Sequence, residues 1–147
     1  MNNSEITLRE VEESDLPVFF LHQADPEAAA MASFRSRDDE SFMAHWRKIL
    51  DDGSVLKRTI LCGGEVAGNI VSFMMEGRRE VGYWVGKEYW GRGIATRALG
   101  LFLEIETTRP IYAGAAKSNP ASIKVLEKCG FRHMEEGSDG FWIMIIE

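Results

Sequence analysis

The sequence predicts one domain, residues 1–147, of the α/β (α+β) class: a mixed, mostly antiparallel sheet with one central parallel strand pair and helices packed on it. Three observations predict this fold. Strand-like runs crowd between 57 and 85 with short glycine turns between them, which makes antiparallel neighbours. A single amphipathic helix then lies between the runs 80–85 and 111–116, and a strand–helix–strand crossover sets those two strands parallel. The chain has 147 residues, 45% hydrophobic and 27% charged, enough to bury a core without staples.

In order, "ITLREV" (6–11) alternates as a strand, and Ser14 with Asp15 is placed to cap the apolar stretch "LPVFFLHQA". Asp25-Pro26 breaks that helix. Phe42, Trp46, Ile49 and Leu50 share one face of a helix over 39–50. "KRTILC" (57–62), Gly63-Gly64 and "EVAGNIVSFMM" (65–75) form a hairpin; "EGRR" turns again into "EVGYWV" (80–85). The next helix shows Ile94, Ala98, Leu101, Phe102 and Ile105 on one side. "IYAGAA" (111–116) is a strand. "NPASIKVLEKC" (119–129) is a short helix with Asn119 as cap and Pro120 at its first position. "FRHMEE" and "FWIMII" close the chain as two strands about a turn at Gly137–Gly140.

Seventeen basic residues face twenty-three acidic ones, for a formal net charge of −6. No basic stripe supports nucleic-acid binding, and an acidic surface suits cationic amines. No apolar run has the length of a membrane span and no leader pattern opens the chain, so no membrane partner and a cytoplasmic location are expected. Cys62 and Cys129 stand far apart outside any CxxC, as reduced thiols would. His22, His45 and His133 have no ligand spacing, so no metal is expected.

The chemistry concentrates in "YWGRGIATRAL" (89–99), where glycines stand at the mouth of a helix. A helix N-terminus offers unpaired N–H groups and a partial positive charge. Gly91 and Gly93 let an anion approach that backbone, and Arg92 adds a cation. A nucleotide P-loop would need G-x-x-x-x-G-K-[ST], but "GKEYWGRG" has Arg92-Gly93 where lysine and a hydroxyl belong. A dinucleotide fingerprint would need glycine at Thr96 and an early parallel βαβ unit, whereas hairpins precede this strand. A plain tight turn is the remaining alternative.

"GYWVGKEYWGRGIATRAL" followed by "NPASIKVLEKCGF" resembles the GNAT superfamily of acyl-CoA-dependent N-acyltransferases, most of all its Rim-type branch of ribosomal-protein N-terminal acetyltransferases. The superfamily signature is [Q/R]-x-x-G-x-[G/A]; here Gly91-Arg92-Gly93 match, and Glu88 replaces the usual Gln or Arg. The strand–helix order fits over the whole chain, but only 80–131 carries specific motifs.

The resemblance implies a GNAT-like sheet whose parallel pair is splayed around the cofactor, with helices on both faces. It implies acetyl-CoA as co-substrate and direct transfer of the acetyl group to a primary amine, a peptide N-terminus or a small-molecule amine. Backbone N–H groups of Gly91, Arg92, Gly93, Ile94, Ala95 and Thr96 would hold the pyrophosphate. Val85 N–H would face the thioester carbonyl and stabilise its oxyanion. Asn119 would bond the pantetheine, with helix capping as its rival or second role. Ser122 and Lys124 or Lys128 would meet the cofactor from the same helix, a solvated surface being the other reading for each lysine. Small members of the superfamily often form homodimers. A catalytically idle acyl-CoA sensor is the alternative function.

An amine must be neutral to attack, and the departing thiolate needs a proton. The family tyrosine, five residues before the phenylalanine of "GF", falls on Leu126 here. Ser122 or water is left as the acid. Glu80, at the start of the strand lining the thioester, is the candidate base; its alternative is a turn residue beside Arg78 and Arg79. His22 and His133 are further candidates, each also readable as structural. Cys129 lacks a cationic partner and reads as buried rather than as an acyl carrier. Acceptor specificity is expected within 22–56.

Overall fold

The computed structural model describes residues 5–31, 38–137 and 140–147. Its elements are β1 (Ile6–Arg9), α1 (Leu16–Ala24), α2 (Pro26–Met31), α3 (Asp39–Asp51), β2 (Leu56–Cys62), β3 (Glu65–Met75), β4 (Arg78–Val85), α4 (Ile94–Ile105), β5 (Ile111–Ala116), α5 (Pro120–Lys128), β6 (Arg132–Glu136) and β7 (Phe141–Ile146). The strands make one sheet in the order β1-β2-β3-β4-β5-β7-β6. Each neighbouring pair is antiparallel except β4 with β5. The expected class and its central parallel pair are both present.

The two tight hairpins follow from backbone freedom. Gly63 and Gly64 have φ of 58° and 86°, and Glu76 and Gly77 have 52° and 81°, the left-handed pair that a two-residue hairpin requires. The second turn takes only Glu76 and Gly77, so β4 starts at Arg78, two residues earlier than the alternation suggests.

Helices cover both faces. Ile70 belongs to the core of α4 and α5, with Ala98, Leu99, Phe102 and Leu126, while its neighbour Val71 packs against Leu16, Phe19, Phe42 and Trp46 of α1 and α3. Consecutive strand residues point to opposite faces, so one strand anchors two cores. On α4, Leu99 is buried and Ile105 is 47% exposed, contrary to the expected stripe. Glu106, the residue that ends the helix, goes inward instead. Its carboxylate accepts from Ser72 Oγ at 2.6 Å and Arg79 Nε at 2.9 Å.

Three local expectations need correction. Ser14 and Asp15 do not cap α1 by a side chain; Glu12 and Asp15 instead close a reciprocal box around a 3-10 turn. The Asp15 carboxylate is buried and accepts from Arg9 at 2.8 Å and Thr59 at 2.6 Å. β1 stops at Arg9 rather than Val11. Asp25-Pro26 does break α1, but it also starts α2, because Asp25 Oδ1 accepts the N–H groups of Glu27 and Ala28. The tip of the last turn, 138–139, and part of the expected specificity segment, 32–37, lie outside the described residues.

Candidate active site

β4 and β5 are in register only at Glu80 and Tyr112. Beyond that pair they diverge, and the gap opens into a cavity of about 630 Å³. Tyr83, Trp84 and Val85 line it from β4, and Gly114, Ala115 and Ala116 from β5. The first turn of α4 and the face of α5 complete one end, while Ala28 and Met31 of α2 close another.

At the wide end stands the N-terminus of α4. Its cap, Gly93, has φ 75° and supplies no side chain to the free N–H groups. Gly91 has φ 78°, and a Cβ added at either glycine would meet nothing within 4 Å. The glycines are therefore required twice: the left-handed backbone excludes most side chains, and the open space in front of the amides stays open. Ile94, Ala95 and Thr96 all line the cavity. An anionic, extended group such as the pyrophosphate and pantetheine of coenzyme A fits this shape and polarity.

Val85 sits at the other side of the same opening. Gly86 N–H donates to Ala67 C=O at 2.8 Å across to β3, so alternation turns the N–H of Val85 away from β3, towards the gap. Its carbonyl accepts from Trp90 Nε1 at 3.0 Å. Gly68 makes this corner possible, since a Cβ there would lie 2.1 Å from the carbonyl oxygen of Trp84.

On α5, Asn119 Oδ1 accepts the N–H of Ser122 at 3.2 Å, so the capping role is present, and Asn119 also lines the cavity. Ser122 Oγ lies 2.7 Å from the hydroxyl of Tyr83. Burial pushes the Tyr83 phenol up to about 12, against the opposing pull of the Ser122 hydrogen bond. Lys124 and Lys128 both reach the cavity wall. The structure thus brings Val85, Gly91, Gly93, Ile94, Ala95, Thr96, Asn119, Ser122 and Lys124 around one space.

Arg92 is not among them. It is exposed, stacks over the Tyr89 ring at 5.4 Å, and borders a separate recess with Cys62, Glu65 and Glu88. Successive residues of an αL–loop–helix entrance cannot all face one side, and the glycines take the inner positions. Glu80 also stands apart. It is at the closed end of the splay, five residues or about 16 Å along the strand from Val85, and on the opposite face of β4. Burial raises its carboxyl above the ordinary value, with Arg78 opposing.

His133 lies on β6, 3.4 Å from Glu127 and against the ring of Trp142, and does not line the cavity. Cys129 is half-buried, its Sγ donates to Thr96 C=O at 3.4 Å, and burial pushes its thiol up, away from a reactive thiolate. Leu126, at the position of the family tyrosine, is 1% exposed within the core. Tyr83 was missed from sequence, although Val81, Tyr83 and Val85 alternate onto one face of β4. Ala28, Met31 and Phe141 carried no local signal, because distant chain segments bring them to the cavity.

The pattern of an acetyltransferase (GNAT) domain matches residues 5–132. The chain is 30% identical over 112 residues to a protein of Bacillus subtilis named a putative ribosomal N-acetyltransferase, YdaF; the match covers 71% of this chain and 61% of that protein. So this chain spans less than two thirds of that relative. It is 30% identical over 136 residues to the spermidine N(1)-acetyltransferase of Escherichia coli, covering 86% of this chain and 72% of that one. Its fold matches that of RimL, a ribosomal L7/L12 alpha-N-protein acetyltransferase solved with coenzyme A, with a TM-score of 0.80 at 19% identity over 96% and 93% of the two chains. With its family pattern over most of its length and its parallel strands parted in front of a glycine-capped helix, this chain belongs to the GNAT acetyltransferase family.

Proposed function

We propose that this protein transfers an acetyl group from acetyl-CoA to a primary amine, a peptide N-terminus or a small-molecule amine, by direct attack in a ternary complex. One observation carries the proposal: the β4–β5 gap runs without interruption from the side-chain-free N–H groups of α4 to the turned-out N–H of Val85. Gly91, Gly93 and the first turn of α4 would hold the pyrophosphate, with Lys124 or Lys128 offsetting its charge. The extended arm would lie along β4 as an added strand, with Asn119 donating to it. The acetyl thioester supplies the activated acyl group.

Val85 N–H would polarise a carbonyl in the gap and stabilise charge that develops there. Ser122 is the donor for the departing thiolate, and Tyr83, at 2.7 Å, orients it and can refill its proton. Glu80 is the proposed base. From its position on the far face of β4 it would take the amine's proton through solvent.

The names of two relatives suggest spermidine and a protein N-terminus as acceptors. The sensor reading keeps one support, the core leucine at 126 where the family has its acid. Incubation with acetyl-CoA and a panel of amines (an N-terminal peptide, spermidine, an aminoglycoside, free amino acids) separates the two. Amine-dependent CoA release with an equal amount of N-acetyl product supports the enzyme. Tight acetyl-CoA binding with no release above the amine-free rate for any amine supports the sensor.

A further inference from the structure

Gly86 follows Val85 directly and begins the loop that becomes the cradle. Its backbone, φ −59° and ψ 143°, is one that alanine adopts without strain. What keeps a side chain out is His22, since a Cβ at Gly86 would lie 2.6 Å from both Cδ2 and Nε2 of the imidazole. His22 lies in the last turn of α1 at 6% exposure, and among the described residues its Nδ1 has no hydrogen-bond partner. A polar ring kept in that condition is costly, where an aliphatic side chain would fill the space freely. An exposed ion pair bridges the same joint. Lys87 Nζ lies 2.6 Å from Glu27 and 4.0 Å from Asp25, at the start of α2. α2 in turn supplies Ala28 and Met31 to the cavity wall.

We propose that His22 is a positioning residue of the transfer site: packed on Gly86, it sets the backbone that presents the Val85 N–H and locks α1–α2 to the cofactor loop. The proposal rests on the role given to Val85 above. Its geometry is reciprocal, so size can be moved from one partner to the other. Gly86→Ala forces the imidazole or the strand end to shift; His22→Ala removes the obstacle; the double variant restores the fit at the backbone.

The test is this cycle of four proteins, each measured for kcat with the best amine of the panel and for CoA affinity by titration. Gly86→Ala should lower kcat by about tenfold or more. Its affinity for CoA, which lacks the acyl carbonyl, should stay within about twofold, the scatter of independent sites. In the His22→Ala background the same Gly86→Ala change should cost almost nothing. If Gly86→Ala costs as much with His22 absent as with it present, the two residues do not act through their contact and the proposal is overturned. Should Gly86→Ala fail to fold, melting temperatures carry the same comparison: recovery in the double variant supports the contact, and no recovery overturns it. A rescue seen in CoA affinity but not in kcat keeps the His22–Gly86 contact and removes the role of Val85 instead.

Discussion

The hydroxyls of Tyr83 on β4 and Ser122 on α5 stand 2.7 Å apart across the cavity. The pair is part-buried, and the Tyr83 hydroxyl also reaches the Ser122 carbonyl at 3.4 Å. Tyr83 is pushed up to about 12 and keeps its proton at neutral pH, and in the proposed mechanism Ser122 is the donor to the thiolate. Ser122→Ala should lower kcat by about 10²-fold, the lower end for a general acid because a thiolate leaves readily. Tyr83→Phe should cost less, and acetyl-CoA KM should hardly move in either. Steady-state kinetics on both variants checks the order; a larger kcat loss for Tyr83→Phe would make the phenol the donor.

Glu80 carries a carboxyl raised by burial, yet it stands at the closed end of the splay. A base acting through solvent should matter most where the free amine is scarce. Glu80→Gln is expected to lower kcat by about 10²-fold near neutrality, with the deficit shrinking as pH rises and the amine loses its proton unaided. A pH–rate profile of the variant beside the parent measures this. Superimposed profiles would leave Glu80 a structural residue of β4, with no part in the transfer.

Acid should weaken the fold in two windows. Burial lowers the His22 imidazole below its ordinary 6.5, with the charge of Glu88 opposing, so the unfolded chain binds this proton more readily than the folded one. The stability that depends on neutral His22 is therefore complete above about pH 6.5 and declines below it. Burial alone would raise Glu106, but Ser72, Arg79 and Thr108 hold it at about 2 against an ordinary 4.5. Its contribution is present above pH 4.5 and is lost as pH falls towards 2. Denaturant melts at several pH values should show the upper step vanish in His22→Phe and the lower one flatten in Glu106→Gln.

Much of this was legible in the sequence, and the reasons differ by residue. The hairpins were readable because Gly63-Gly64 and Glu76-Gly77 must take left-handed backbone. The cradle was readable because Gly91 and Gly93 precede an amphipathic run. The cap role of Asn119 came from local spacing and is present. What sequence hid depends on long-range packing. Asp15 looked like a helix cap, but Arg9 and Thr59 draw it into the core. Ile105 looked buried, but α4 turns at its end so that Glu106 can meet Arg79. Arg92 looked like part of the cradle, but the two left-handed glycines beside it face the cavity and send it outwards to Tyr89. The contact of His22 with Gly86 joins residues 64 positions apart and has no local signature.

The central claim is that backbone at the mouth of α4, rather than the charge of Arg92, holds the cofactor. The measurement is calorimetric titration of acetyl-CoA into the parent, Arg92→Ala and Gly93→Val, with the fold of each verified by melting. Val at φ 75° would be strained and would project into the space before the N–H groups, whereas Arg92 stands outside the cavity. The prediction is one site per parent chain, a Kd raised by no more than about tenfold in Arg92→Ala, and no measurable binding in folded Gly93→Val. A parent that takes up no acetyl-CoA, or equal affinities for a folded Gly93→Val and the parent, would contradict it.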